Sequence, residues 1–198
     1  MAALNVPVLG ASVPRRGSRA GRILGFVVLK IGGWSFAGTI PDVAKAVIIV
    51  APHTSNWDFV VGAAGMFALD LDLRFLGKHT LFNGPLAPVM RALGGIPVDR
   101  AHPGGGVVDE MVELFHTEEQ LLLALAPEGT RGDVDRWRTG FHRIAAGAGV
   151  PIVPVALDYG RRMIRFGRPH TPTEDVAGDL ARLQDYYAGA TGRRRSVN

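Results

Sequence analysis

The strongest constraint on the fold of this 198-residue chain is an alternation of short apolar runs with longer helical patterns from residue 46 onward. Runs of this length predict buried strands, and the segments between them repeat their apolar residues at helical spacing. The predicted strands are 46–51, 73–77, 95–98, 121–126, 150–157 and an edge strand over 162–167. The predicted helices are 58–69, 85–93, 105–116, 140–149 and 173–187. Because parallel strands need crossover connections, this pattern predicts a single α/β domain with a largely parallel, mixed sheet flanked by helices.

The positive charge of the chain lies at its two ends. The chain has 22 Lys and Arg against 18 Asp and Glu, yet its first 30 residues and its last eight contain no acidic residue. The basic residues of these ends include Arg15 to Arg22 and Arg193 to Arg195, and the remainder of the chain is acidic. A nucleic-acid-binding domain usually carries its basic patch on the folded body, so the charge pattern argues against nucleic acid as a partner. We predict a flexible basic arm over 1–22, a folded domain over 23–190 and a basic tail over 191–198.

Residues 23–36 are apolar almost throughout, and two interpretations of them remain open. They can form a helix or strand buried in the core. Alternatively they can lie in a membrane interface, where Trp34 and Phe36 suit the headgroup boundary and the preceding arginines suit anionic lipid. No uncharged stretch reaches the roughly 18 apolar residues that cross a bilayer.

Several chemistries are excluded by what the sequence lacks. The chain has no Cys, which rules out disulfides, Cys-ligated zinc, iron–sulfur clusters and a thiol nucleophile. It also lacks G-x-S-x-G, G-x-x-x-x-G-K-[ST], G-x-G-x-x-G and H-E-x-x-H motifs. We therefore predict neither a metal site nor a tightly bound cofactor.

Three polar segments, 52–58, 97–100 and 127–131, follow predicted strands directly. Ligand sites of α/β sheets form where parallel strands end, so these segments are expected at one edge. Within the first segment, Asp58 at the start of a helix can accept a hydrogen bond from His53 and leave its second ring nitrogen free as a base. The alternative is that Asp58 only caps the helix and His53 has no catalytic role.

The same edge is predicted to hold a group of cations. Glu128 and Arg131 follow a strand, with Gly129 allowing close backbone approach to a ligand, although the two charges can also form a structural ion pair. Lys78, His79 and Arg100 lie at the ends of two further strands. Such a cluster on an acidic body suits a phosphate group, whereas any single cation can equally be a solvated surface residue.

Four blocks in one order resemble the glycerolipid acyltransferase family, the lysophosphatidic acid and glycerol-3-phosphate acyltransferases. They are H-T-S-N-W-D at 53–58, G-I-P-V-D-R at 95–100, P-E-G-T-R at 127–131 and V-P-I-V-P-V at 150–155. The resemblance covers about residues 46–157 and implies that the folded domain is an acyltransferase domain.

The resemblance implies transfer of a fatty acyl group from acyl-CoA or acyl-carrier protein, as co-substrate, to a hydroxyl of a lysophospholipid, first of all 1-acyl-glycerol-3-phosphate. It implies that His53 is the general base and that Asp58 orients it. The residues implied in substrate binding are Lys78, His79, Arg100, Glu128, Gly129, Thr130 and Arg131.

The resemblance also implies a role in phospholipid biosynthesis. The terminal arginines, Arg15 to Arg22 and Arg193 to Arg195, predict contacts with an anionic bilayer, so we expect the protein in the cytoplasm, peripherally associated with the inner face of the cell membrane. Three alternatives remain open: glycerol 3-phosphate as acceptor, another lyso-lipid as acceptor, and a non-catalytic lipid- or acyl-binding module.

Overall fold

The computed structural model describes residues 6–98, 106–129 and 137–193. Its helices are α1 Arg19–Ile31, α2 Asn56–Ala68, α3 Ala87–Ala92, α4 Val107–Thr117, α5 Gly140–Ala148 and α6 Val176–Tyr187, with a 3-10 helix at His79–Phe82. Its strands are β1 Ser35–Ala37, β2 Lys45–Ala51, β3 Leu73–Lys78, β4 Gly95–Val98, β5 Leu121–Leu125, β6 Ile152–Asp158 and β7 Met163–Phe166.

The strands form one seven-stranded sheet in the order β1-β7-β6-β2-β5-β3-β4. Every neighbouring pair is parallel except β6 and β7, which are antiparallel. The predicted α/β domain with a largely parallel mixed sheet is therefore confirmed. The expected edge strand over 162–167 differs in position, because short β1 pairs with β7 and lies outside it.

Two apolar layers cover the sheet, because successive side chains of a strand point to opposite faces. On β2, Ile48 packs on the face that carries α1 and α2. Its neighbours Val47 and Ile49 pack on the opposite face against α4, α5 and α6. The central strands are thus buried on both sides, which explains why they are uninterrupted apolar runs.

Pro154 lies in the middle of β6, a position where proline removes a ladder hydrogen bond. The hydroxyl of buried Tyr187 is inserted at this point of the ladder. It donates to the carbonyl of Ile49 on β2 at 2.7 Å and accepts from the N–H of Val155 on β6 at 3.1 Å. The end of α6 therefore completes the hydrogen bonding between the two strands that lead to the polar edge.

The structure departs from the mobile arm expected over 1–22, of which residues 1–5 lie outside the described part. Leu9 and Val13 are buried in the core, and the N–H of Arg16 donates to the carbonyl of Asp70 at 3.0 Å. Ser18 caps α1 by accepting from the N–H of Gly21. Residues 6–18 are thus held by burial of apolar side chains and by backbone hydrogen bonds.

The first part of the apolar segment 23–36 lies in helix α1, which has a buried face and an exposed face. One face of α1 buries Gly25 and Leu29 against α2. The other face leaves five apolar side chains exposed, namely Ile23, Leu24, Val27, Val28 and Ile31. Among the described residues, no helix combines the length and the apolar character needed to cross a membrane.

Candidate active site

The polar edge of the sheet lies where β2, β5 and β3 end. Ile49 of β2 pairs with Leu125 of β5, and Phe75 of β3 pairs with Ala124. Continuing these registers places the ends of β2 and β3 level with Pro127. The segments that begin with residues 52 and 127 therefore start at one edge, as the sequence predicted, and Pro97 lies at this edge too, because it pairs with Gly77 near the end of β3.

His53 and Asp58 are brought into contact at this edge. Nδ1 of His53 lies 3.3 Å from Oδ2 of Asp58. The Asp58 side chain is 1% exposed and the His53 side chain 23% exposed. The imidazole is thus held from the buried side, and Nε2 is the ring nitrogen that Asp58 does not engage.

The start of α2 explains why Asp58 occupies this place. Ser55 is the N-cap residue, and Asp58 is the third residue of the helix, so the two form a capping box. Oδ2 of Asp58 accepts hydrogen bonds from the N–H groups of Thr54 and Ser55, both at 2.7 Å. One carboxylate oxygen of Asp58 therefore caps the helix and also contacts His53.

Hydrogen bonding keeps Asp58 ionised despite its burial. Burial raises the pKa of Asp58, but the bonds from His53 and from the N–H groups of Ser55 and Thr54 outweigh it and leave the pKa below its ordinary value. A fixed negative charge next to Nδ1 favours a proton on that nitrogen, which leaves Nε2 unprotonated in the neutral ring.

Glu128 reaches the His53 loop from β5. Its Oε2 accepts a hydrogen bond from the backbone N–H of His53 at 2.9 Å. Burial raises the pKa of Glu128, and the negative charge of Asp58 acts in the same direction. Gly129 follows with a φ of +70°, and a side chain there would meet that of Arg138. Glu128, which follows β5, therefore positions the backbone of His53, whose side chain contacts Asp58.

Two of the predicted basic residues, Lys78 and His79, lie at the end of β3. Exposed Lys78 ends β3, and His79 begins the 3-10 helix that follows. Because β5 lies between β3 and β2, Lys78 is two strand spacings, about 10 Å, from the end of β2. The remaining predicted residues, Arg100, Thr130 and Arg131, lie outside the described residues.

Tyr159, which none of the predicted motifs contains, directly follows β6 at the same edge. Its hydroxyl is buried and lies close enough to the Asp58 carboxylate for each group to shift the pKa of the other. Burial raises the pKa of Tyr159, and the Asp58 carboxylate raises it further. The ring of Trp34 packs edge-on against that of Tyr159, with the ring centroids 4.8 Å apart. The only signal for Tyr159 was its place at the end of a predicted strand.

A second residue that the motifs do not cover is Arg193. Its guanidinium carbon lies 4.7 Å from the ring centroid of Trp57. Trp57 stands between His53 and Asp58 in the sequence, and 52% of its surface is exposed. The basic tail expected over 191–198 thus begins at the polar edge, and residues 194–198 lie outside the described part.

Comparisons with known proteins agree with this architecture. A family model described as Acyltransferase matches residues 37–158. The fold is similar to the crystal structure of the 1-acyl-sn-glycerophosphate (LPA) acyltransferase PlsC from Thermotoga maritima, with a TM-score of 0.58 and 20% sequence identity. The match covers 87% of this chain and 80% of that one. No curated protein matches the chain.

Proposed function

This chain belongs to the acyltransferase family, and from that premise we propose that it moves a fatty acyl group from a thioester to a hydroxyl of a lysophospholipid-type acceptor. The donor is acyl-CoA or acyl-carrier protein, acting as co-substrate. The first acceptor to consider is 1-acyl-glycerol-3-phosphate, because an enzyme of similar fold carries that substrate in its name. The pairing of His53 with buried Asp58 is the observation that carries the proposal.

In this reaction Nε2 of His53 takes the proton of the acceptor hydroxyl as the oxygen attacks the thioester carbonyl carbon. The tetrahedral intermediate collapses, the carbon–sulfur bond breaks, and the sulfur leaves with the proton that His53 carried. Asp58 holds the ring and stabilises its transient positive charge. Acyl transfer is direct in this scheme, since the chain contains no cysteine that could carry the acyl group.

The backbone hydrogen bonds limit where the oxyanion can be stabilised. The N–H of His53 already donates to Glu128, and the N–H groups of Thr54 and Ser55 already donate to Asp58. These three donors are therefore occupied. The N–H of Gly129 donates to the carbonyl of Ala126 at 3.1 Å and is occupied as well, so we assign the oxyanion site to none of these four groups.

The acceptor phosphate is assigned to the cations along the edge. Lys78 and His79 lie two strands from His53, and the sequence adds Arg100 and Arg131 from the segments after β4 and β5. Glu128 then has two tasks, which are to hold the His53 backbone and to position the acceptor. Arginine and lysine at such sites bind phosphate through charge-assisted hydrogen bonds.

We further propose that the protein acts on the inner face of the cell membrane as a peripheral protein. The exposed apolar face of α1 is bordered by Arg19, Arg22 and Lys30. An amphipathic helix with this arrangement inserts its apolar face between lipid headgroups, while its cations attract anionic lipid. No nucleic acid is involved in this proposal.

The function is tested by release of free CoA when the purified protein is incubated with acyl-CoA and 1-acyl-glycerol-3-phosphate. His53→Ala should lower the rate by about 10²–10⁴-fold, because a positioned base is lost, while the melting temperature stays close to that of the wild type. Near-normal turnover by a folded His53→Ala variant would contradict the mechanism.

A competition assay then identifies the substrates. It offers glycerol 3-phosphate, other lyso-lipids, acyl-CoA and acyl-carrier protein to the same enzyme. If lipid binds but no pair of donor and acceptor gives acyl transfer, the protein is a non-catalytic lipid-binding module instead.

A further inference from the structure

The C-terminal tail is tied to the end of β6, beside the candidate active site. The N–H of Tyr159 donates to the carbonyl of Thr191 at 2.8 Å. The N–H of Thr191 donates to Oδ1 of Asp158 at 3.4 Å. Arg161 bridges Asp158 Oδ2 and the carbonyl of Gly189, at 2.7 and 3.2 Å. Because β6 is parallel to β2 and adjacent to it, this attachment brings the tail to the edge where His53 lies.

Arg193 is placed by that attachment on the ring of Trp57. Its positive charge also acts on the hydroxyl of Tyr159, where it lowers the pKa that burial and Asp58 raise. The guanidinium therefore lies close both to the start of α2 and to the group that contacts Asp58. It is exposed to solvent, so a ligand in the active site can reach it.

The guanidinium has no anion to neutralise it within the described part of the chain. Its one close partner there is the uncharged ring of Trp57, and no carboxylate of the described residues forms an ion pair with it. Stacking on an aromatic face leaves the N–H groups along the edge of a guanidinium available, and these donors match the oxygens of a phosphate. The ring also restricts the arginine side chain, which lowers the entropy lost when an anion binds.

Arg193 and Lys78 lie on opposite sides of His53. The tail is fixed at β6, on one side of β2, while Lys78 ends β3, on the other side. The proposed reaction joins two substrates that both carry phosphate: the acceptor, and the phosphopantetheine-containing carrier of the donor. A single cluster of cations on one side of His53 would bind the phosphate of only one of these two substrates.

We propose that Arg193 is a phosphate-binding residue of the active site, and that it binds the phosphate of whichever substrate Lys78 does not hold. This inference rests on the proposed acyl transfer for the identity of its ligand. The phosphate belongs either to the carrier of the acyl donor or to the headgroup of the acceptor.

The test measures binding of two probes, CoA and glycerol 3-phosphate, by calorimetry with the full-length protein. It compares the wild type with Arg193→Ala, Arg193→Lys and Arg168→Ala. Arg168 is an equally exposed arginine just after β7, and since β7 is antiparallel to β6 it lies towards the opposite edge of the sheet. Arg193→Ala should weaken one probe by about tenfold or more, Arg193→Lys should weaken it less, and Arg168→Ala should bind both as the wild type does.

The affected probe identifies the source of the phosphate: CoA for the donor, glycerol 3-phosphate for the acceptor. In turnover, the KM of the corresponding substrate should rise in Arg193→Ala. Unchanged binding of both probes by Arg193→Ala, or no binding of either by the wild type, would overturn the inference. If Arg193→Ala weakens a probe but no donor and acceptor pair reacts, the inference stands and the proposed function fails. If Arg193→Ala turns over the substrates with unchanged KM values, the proposed function stands and the inference fails.

Discussion

At the scale of single residues, the site depends on one carboxylate with several partners. Oδ2 of Asp58 accepts from two backbone N–H groups and contacts Nδ1 of His53. The buried Tyr159 hydroxyl lies near the same carboxylate and shifts its pKa. Replacing Asp58 therefore disturbs the helix cap and the imidazole together, and a control that removes only the cap is needed to separate them.

Ser55 supplies that control. Ser55→Ala removes the N-cap side chain and should cost about 1 kcal/mol of unfolding free energy with kcat close to that of the wild type. Asp58→Asn should cost a similar amount of stability, yet it should also lower kcat by about 10²-fold, because the charge that orients and supports His53 is lost. Urea denaturation and steady-state kinetics on both variants measure the two effects. Equal kcat values for the two variants would reduce Asp58 to a helix cap.

Some residues of the site can be predicted from the sequence around them, and others are placed only by the tertiary structure. His53, Asp58 and Glu128 were predictable, because each lies within a short block directly after an apolar strand. Tyr159 and Arg193 were not, since each reaches the site through the order of strands in the sheet. Nothing in the residues around Arg193 indicates that the tail meets Trp57, which lies far away along the chain.

At the scale of elements, the contact between α1 and α2 is close enough to require glycine. A Cβ atom on Gly25 would lie 2.5 Å from the carbonyl oxygen of Ala64 and 2.5 Å from the backbone N of Ala68. Those backbone atoms cannot move without separating the helices. Gly62 of α2, by contrast, has no atom within 4 Å of such a Cβ.

These two glycines predict opposite effects of one substitution. Gly25→Ala should lower the unfolding free energy by about 1–3 kcal/mol, because the helices are forced apart. Gly62→Ala should raise it by about 0.5–1 kcal/mol, because alanine loses less conformational freedom in a helix than glycine does. Urea denaturation of both variants at one pH measures these changes in unfolding free energy. A stabilising Gly25→Ala would show that the two helices are not in the close contact described here.

The exposed face of α1 leads to a prediction about lipid. Wild-type protein should bind vesicles that contain anionic lipid and should bind them less at high salt. Ile23→Asp combined with Leu24→Asp should weaken binding by about tenfold or more, since two apolar side chains no longer enter the interface. Sedimentation with vesicles of graded anionic content measures this effect.

The matched control for the vesicle experiment adds the same two charges elsewhere. Ala181→Asp with Gln184→Asp changes two exposed positions of α6, on the other face of the sheet, and should keep wild-type binding. The membrane proposal would be contradicted if vesicle binding by the wild type depended on neither lipid charge nor salt. It would also be contradicted if the two double variants lost vesicle binding equally.

At the scale of the whole molecule, buried Asp179 joins three parts of the chain. Its Oδ2 accepts from the N–H of Thr173 at 2.6 Å and lies 2.9 Å from Nε2 of His142 on α5. Its Oδ1 lies 2.9 Å from Nε2 of His170, just after β7. Burial raises the pKa of Asp179, but the hydrogen bonds from His142 and Thr173 outweigh it and hold the pKa well below the ordinary value of 3.8.

This junction predicts a loss of stability in acid. The folded protein binds fewer protons at Asp179 than the unfolded chain, so the stabilisation is complete above about pH 4 and declines as the pH falls below that value. Asp179→Asn should cost about 3 kcal/mol near neutral pH, because an amide cannot accept from all of these donors. The difference in unfolding free energy between Asp179→Asn and the wild type should narrow below pH 4.

Asp175 is the control for this experiment. It caps α6 by accepting from the N–H of Gly178, and asparagine is an equally good cap. Asp175→Asn should therefore follow the wild type at every pH. A constant difference between Asp179→Asn and the wild type from pH 7 to pH 3 would show that Asp179 is not the acid-sensitive group.

The sequence alone determined the α/β class, the bounds of most strands and helices to within a few residues, and the place of His53, Asp58 and Glu128 at strand ends. These features follow from local rules, which are the period of apolar residues, the residues that start helices and the polar segments after strands.

The tertiary structure decided which distant segments meet. It placed β1 outside β7, packed residues 6–18 against the core, inserted Tyr187 between β2 and β6, and brought Tyr159 to Asp58 and Arg193 to Trp57. Each of these contacts depends on strand order and register. A pattern of apolar runs does not encode that order, because every central strand presents the same apolar faces to its neighbours.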